Sequence, residues 1–309
     1  MIKAICIGEA LIELRPLGPG SLARGVAGDT YNTAVYLKRC LERSGEVSFL
    51  TVVGDDPLSD FLVADFQRQD IGTDLVMTTP GALPGLYLIE LDAHGDRSFH
   101  YWRGESAARR WITRLEAAGG ANVLAGADLV FLSGISLAIL APADRSTALA
   151  ILASLRGRVG CIAFDPNVRP KLWPDQRVAR ETLTAACALA DIVLASDVDG
   201  DWMLDEAAPH LQIDRYRDLG CQEIAVTLGE DGVLVWADGG FTACSASAST
   251  VVDTSGAGDS FNAAYLAARL RGSSPAVAAR EGQDLASRVV SAPGALIAGE
   301  LSHPSHPQI

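Results

Sequence analysis

The sequence predicts an α/β fold built on a mostly parallel sheet. Three observations carry this: short β-rich runs recur, Ala/Leu/Arg-rich segments of helix length alternate with them, and most runs are apolar throughout. Continuous apolarity is what a strand needs when helices cover both its faces. A sheet with one solvated face would show alternation instead.

The runs occupy residues 4–8, 49–54, 129–134, 161–165, 192–196, 223–229 and 233–236, and residues 145–155 and 181–190 read as helices between them. Their ends are polar or glycine-bearing: Gly8-Glu9, Gly54-Asp55-Asp56, Ser133-Gly134, Asp165-Pro-Asn167, Ser196-Asp197 and Thr227-Leu-Gly229. One such end is ordinary turn chemistry. Their repetition at the carboxyl ends of parallel strands, where open α/β sheets bind ligands, predicts a cleft.

Residues 84–103 break the pattern. They read as two strands around an Asp92-Ala-His-Gly95-Asp turn, a hairpin rather than a strand–helix unit. A period of two puts Phe99, Tyr101 and Arg103 on one face, with His100 and Trp102 on the other. An arginine beside aromatics suits a lid over a polar ligand; a sheet edge with Arg103 reaching to water is the plainer alternative.

The 309 residues are 49% hydrophobic and 20% charged, ordinary for a globular chain and long enough for a large core in one domain. A net charge of −13 argues against nucleic-acid and anionic-membrane partners, and an anionic substrate would need local arginines. Cys6, Cys40, Cys161, Cys187, Cys221 and Cys244 show no C-x-x-C pair and no metal-ligand spacing, which favours a reducing compartment and no structural zinc. Glu9 and Glu13 interrupt the first apolar run, so neither a signal peptide nor a membrane span fits there and the cytoplasm is expected. The chain shows no internal repeat, and residues 302–309 read as a frayed end.

The chemistry concentrates in Asp253-Thr-Ser-Gly-Ala-Gly-Asp259-Ser-Phe261, which runs into an Ala-rich helix. Gly256 and Gly258 let backbone N–H groups converge, and the helix start adds unpaired N–H groups and positive dipole. A carboxylate at Asp259, beside that anion site, can accept the proton of a hydroxyl attacking a phosphoryl group. An acid in a first helical turn also suits the dipole with no chemistry at all.

With Asp253–Phe261, Gly28-Asp-Thr-Tyr-Asn32 and Asp165-Pro-Asn-Val-Arg169, the chain resembles the PfkB (ribokinase-like) carbohydrate kinases over nearly its whole length. Within them it is most similar to those acting on 2-keto-3-deoxygluconate, on Leu83-Pro-Gly-Leu-Tyr87, Phe99-His-Tyr-Trp-Arg103, Leu132-Ser-Gly-Ile-Ser-Leu-Ala-Ile-Leu140 and Arg169-Pro-Lys-Leu-Trp173. The resemblance implies a ribokinase-like three-layer sandwich over residues 1–309, with a small β-sheet lid near residues 10–25 and 84–103. It implies phosphorylation of the sugar acid's 6-hydroxyl with ATP and Mg2+, a monovalent cation being a further option, in a homodimer or larger assembly.

Carried over by position, the resemblance gives Gly28, Asp29 and Asn32 the sugar hydroxyls. Tyr87, Tyr101, Arg103 and Arg169 take the keto-acid end. Asp259 is the base, with Gly256, Ala257 and Gly258 as the anion hole, and Asn167, Ser196, Thr227, Gly229 and Gly232 lie along the nucleotide. The arginines have an independent warrant, since a guanidinium fork recognises a carboxylate whereas a neutral hexose needs only hydroxyl partners. A salt bridge to a neighbouring acid is the alternative for Arg169. The Thr227–Gly232 loop either borders adenosine or simply closes a hairpin.

Two departures stand out. Ala27-Gly28 replaces the Gly-Gly that relatives usually carry, and Ser196-Asp-Val-Asp199 replaces an Asn-x-x-Glu signature that organises magnesium. Asp199 acting through water is the substitute ligand. A fructokinase is the nearest rival. A non-catalytic sugar or nucleotide sensor on the same fold would have no use for Asp259 beside an anion hole.

Overall fold

The computed structural model describes residues 1–18, 20–91, 97–247 and 249–298. The chain begins with β1 (Ile2–Ile7), β2 (Leu11–Gly18), β3 (Ser21–Ala27), α1 (Asp29–Leu41), β4 (Gly45–Val53), α2 (Pro57–Arg68), β5 (Val76–Thr78), β6 (Leu86–Leu91) and β7 (Arg97–Trp102). It continues with α3 (Trp111–Ala117), β8 (Leu129–Ser133), α4 (Gly134–Ala138), α5 (Pro142–Leu155), β9 (Ile162–Asp165), α6 (Gln176–Cys187), β10 (Ile192–Ser196) and α7 (Asp197–Leu204). The last elements are α8 (Pro209–Asp218), β11 (Glu223–Thr227), β12 (Val233–Ala237), β13 (Gly240–Cys244), α9 (Ala257–Leu270) and α10 (Pro275–Val290).

The main sheet has nine strands in the order β13-β12-β11-β10-β9-β8-β1-β4-β5. It is parallel from β11 to β5, while β12 and β13 join antiparallel at one edge. Side chains of β1 show why the runs are apolar throughout. Ile5 and Ile7 enter the core beneath α3, α5, α6 and α8, and Ala4 and Cys6 enter the one beneath α1, α2, α9 and α10. At about 1.5–3 kcal/mol for each large buried side chain, these two cores outweigh surface ion pairs worth about 0–1 kcal/mol each. All six cysteines are free.

Local signals set the helix starts. Asp56 accepts hydrogen bonds from the Leu58 and Ser59 N–H groups ahead of Pro57, and Asp175 and Ser274 cap α6 and α10 likewise.

The lid expected at residues 10–25 and 84–103 is a separate four-stranded sheet in the order β3-β2-β6-β7. Tyr87 faces Tyr101 across the hairpin and Ile89 faces Phe99. The rings of Tyr87, Phe99 and Tyr101 cluster on one face. On the other, His100 pairs with Glu90 at 2.8 Å. The two faces are those the period of two specifies. The turn at residues 92–96 and the 302–309 tail lie outside the described residues.

Candidate active site

The carboxyl ends of β9, β10 and β11 meet the N-termini of α1 and α9 around a cavity of ≈ 510 Å³. Gly28, Asp29, Asn32, Tyr87, Tyr101, Arg103, Asn167, Arg169, Ser196, Thr227 and Gly256 through Asp259 all line it. Gly229, Gly232 and Asp199 divide: Asp199 lines the cavity and the two glycines do not.

Helix α9 starts from Gly256, whose φ of 76° and whose missing Cβ, which would lie 2.6 Å from the Ala295 carbonyl oxygen, both demand glycine. Gly258 is different. A Cβ there would meet nothing within 4 Å, so packing does not require glycine and the position opens onto the cavity. The motif puts Ala257 among the anion donors, but its N–H donates to the Thr254 carbonyl at 3.3 Å. The N–H groups of Gly256, Gly258 and Asp259 donate to nothing among the described residues, which leaves them free to receive an anion.

Asp259, in the first turn of α9, accepts from Asn32 Nδ2 at 2.8 Å. The dipole argument would lower its pKa. The structure reverses that expectation: burial pushes the carboxyl up to about 7, the nearby Asp29 charge adds to the rise, and the Asn32 hydrogen bond and the Arg169 charge only partly offset it. A base must be ionised to take a proton, so with Asp259 in that role kcat/KM is expected to climb about tenfold per pH unit below pH ~7 and to level above it. The same shift has a stability consequence. A carboxyl whose folded pKa is raised contributes stability at low pH that is lost as pH rises through about 7. The melting temperature of Asp259→Asn, relative to wild type, is therefore expected to be higher at pH 8 than at pH 5. A constant difference would refute the shift.

The side of the cavity around Asp29 is built by long-range pairs. Asp29 Oδ2 accepts from Ser133 Oγ and from Asn167 Nδ2, the latter at 2.7 Å. Asn167, at a φ of 33°, is bent into this contact by its own N–H donating to Asp165 at 2.9 Å. Asp165 in turn accepts from Asn262 on α9 at 2.8 Å, and burial with three neighbouring aspartates holds its carboxyl well above the usual range. Gly28 is needed because a Cβ would collide with the Glu9 carbonyl oxygen. Ala27 ends β3 without a left-handed φ, so its place in the usual Gly-Gly pair introduces no strain.

The two arginines differ. Arg169 is exposed and donates Nη1 to the Val168 carbonyl at 2.9 Å, with no ion pair among the described residues. Arg103 is paired with the buried Glu9. Tyr87 donates its hydroxyl to Glu13, which with burial raises its pKa.

At the carboxyl ends of β10 and β11, Ser196 caps α7 by accepting from the Asp199 N–H, and Thr227 Oγ1 donates to the Ala195 carbonyl at 3.3 Å. Gly229 and Gly232 sit outside the lining because their loop joins β11 to antiparallel β12; a Cβ at Gly232 would collide with the Cys244 carbonyl oxygen of β13. The loop closes a hairpin between β11 and β12. Asp199 Oδ1 accepts from the Val168 N–H and Oδ2 from Ser196 Oγ, both at 2.8 Å. Its carboxylate thus holds the loop bearing Arg169, and among the described residues no three acidic, His or Cys side chains are placed to hold a metal.

Glu9, Asp165, Ser133 and Asn262 were not singled out as site residues by the motifs. Glu9 carries a signal, an acid ending an apolar strand, and Asp165 sits inside a quoted motif. Ser133 and Asn262 carry none that short-range patterns expose.

A hydroxyl placed at Asp259 would lose its proton to one side while the free helix amides receive anionic charge on the other. That is the arrangement of a phosphotransferase acting on an alcohol. The chain belongs to the pfkB family of carbohydrate kinases, whose family model matches residues 1–300. The 2-dehydro-3-deoxygluconokinase of Dickeya dadantii (strain 3937) is 39% identical over 296 residues, covering 94% of this chain and 95% of that protein. That of Escherichia coli (strain K12) is 36% identical over 303 residues, covering 96% and 98%. A fructokinase from Vibrio cholerae O395, crystallised with fructose, ADP and calcium ion, has a TM-score of 0.80 at 24% identity over 96% of this chain and 94% of that one, a likeness of fold. No described helix is long and apolar enough to cross a membrane.

Proposed function

We propose that this chain transfers the terminal phosphoryl group of ATP to the 6-hydroxyl of 2-keto-3-deoxygluconate, giving 2-keto-3-deoxy-6-phosphogluconate and ADP. One observation carries the reading: Asp259 shares its cavity with Arg169, a guanidinium with no ion pair among the described residues of an acidic protein. An unpaired arginine in such a cavity suits an anionic substrate and is superfluous for a neutral hexose. Two relatives at 36–39% identity carry the name of this activity.

In this reading Arg169 and the lid tyrosines hold the keto-acid end, and Asp29 and Asn32 hold hydroxyls. The terminal hydroxyl then lies against Asp259, which accepts its proton as the phosphoryl group transfers. The amides of Gly256, Gly258 and Asp259 receive the anionic charge. The lid excludes water when the substrate is bound.

Magnesium would be held here largely by phosphate oxygens and water, with Asp199, which lines the cavity and whose oxygens each accept one hydrogen bond, as the side chain that would meet it through water. When bound, it neutralises phosphate charge. With six free thiols the enzyme suits a reducing cytoplasm.

Steady-state ADP release with 2-keto-3-deoxygluconate, 2-keto-3-deoxygalactonate, fructose and ribose tests the substrate. The highest kcat/KM is expected for a sugar acid. A higher value for fructose overturns the reading, and no turnover with any sugar points to a sensor.

A further inference from the structure

Glu9 stands just past β1, at the root of the lid, with its side chain fully buried. Its Oε2 accepts from Arg103 Nη2, at the foot of β7. Glu9 Oε1 and Arg103 Nε are both buried without a partner, so the pair is joined by one hydrogen bond rather than a fork. Polar atoms left bare beside a ligand cavity are a cost that folds retain at working sites. Gly85 makes the pair possible, since a Cβ there would press on Glu9 Oε1 and lie 3.1 Å from Arg103 Cβ. That gives the glycine of Pro84-Gly85-Leu86-Tyr87 a physical reason.

Arg169 is the contrast, an exposed guanidinium in the same cavity with no ion pair among the described residues, its charge reaching Asp259 and Asp199 without a salt bridge. The two arginines therefore carry different net charge into the site. A guanidinium buried beside a carboxylate still donates hydrogen bonds, but the pair projects little net field. A lone guanidinium projects a full charge.

We infer that Glu9 determines specificity by neutralising Arg103, which then holds uncharged oxygens of the substrate while Arg169 alone meets its carboxylate. This rests on the sugar-acid reading above and refines it. Glu9 touches no substrate; it acts through Arg103 as a positioning residue. Without it, two bare cations would line one small cavity and either could capture the acid end.

The test compares KM for 2-keto-3-deoxygluconate with KM for its methyl ester, a neutral near-isostere. Arg169→Met is expected to erase the preference for the acid, a change of about 10- to 100-fold in the acid-to-ester ratio. Arg103→Met should weaken acid and ester by similar factors and leave the ratio near wild type. Glu9→Gln keeps the shape but frees the charge on Arg103, so the acid preference should rise several-fold. A merely structural Glu9 would move both substrates together.

Two results overturn the inference: Arg103→Met erasing the preference, or folded Glu9→Gln keeping the wild-type ratio. Should Glu9→Gln fail to fold by circular dichroism, the two arginine variants decide the matter alone. Wild-type protein that does not turn over 2-keto-3-deoxygluconate sinks the substrate reading and this inference with it. Turnover with the ratios unmoved sinks this inference only.

Discussion

Asp259→Asn is expected to lower kcat by about 10²–10⁴-fold while KM for the sugar changes far less. The amide side chain is nearly the same shape and keeps a hydrogen-bonding partner for Asn32, so the helix start and the anion hole stay in place. What disappears is the group that accepts the hydroxyl proton. The residual rate comes from positioning and from the backbone amides at positions 256, 258 and 259, which a loose phosphoryl-transfer transition state uses heavily. The variant should also lose the rise of kcat/KM through pH ~7. Turnover near wild type, or an unchanged pH profile, removes Asp259 from its role.

Arg169→Met is expected to raise KM for the sugar acid about 10- to 100-fold with a smaller change in kcat. Methionine keeps the length and apolar stem and deletes the charged fork. Among the described residues Arg169 makes no ion pair, so its loss leaves no carboxylate stripped of a salt-bridge partner. Arg169→Lys should fall between the two, since an ammonium offers charge without bidentate geometry. A second consequence separates this role from a general packing role. The Arg169 charge holds Asp259 down against burial, so its loss should move the acid limb of the pH profile to higher pH. A KM that stays put rules out Arg169 as the carboxylate partner.

The parallel core was legible because strand positions buried on both faces must be apolar, and the interiors 4–7 of β1, 129–132 of β8, 192–195 of β10 and 224–226 of β11 are. Strands β2 and β3 were legible only through resemblance. Beyond Leu11, Ile12 and Ala27 their residues are half-buried or exposed, and Pro16 interrupts them, so no period emerges. Short β5 and the exposed edge β13 escaped for the same reason.

At the site, Gly256-Ala-Gly-Asp259 was readable because a helix start makes an anion hole from consecutive residues. The Glu9–Arg103 pair and the Asp165–Asn262 bond were not, since their partners stand 94 and 97 residues apart. The pKa of Asp259 shows the limit of local rules. The helix dipole acts within one turn, whereas burial and Asp29 arrive through the fold and prevail.

A crystal structure of the protein with 2-keto-3-deoxygluconate and a non-hydrolysable ATP analogue tests the arrangement on which all of this stands. The sugar's 6-hydroxyl is expected within hydrogen-bond reach of an Asp259 oxygen, with its carboxylate on the Arg169 guanidinium. A sugar bound the other way round, with its carboxylate at the α9 amides and its 6-hydroxyl away from Asp259, would refute both the catalytic and the specificity assignments.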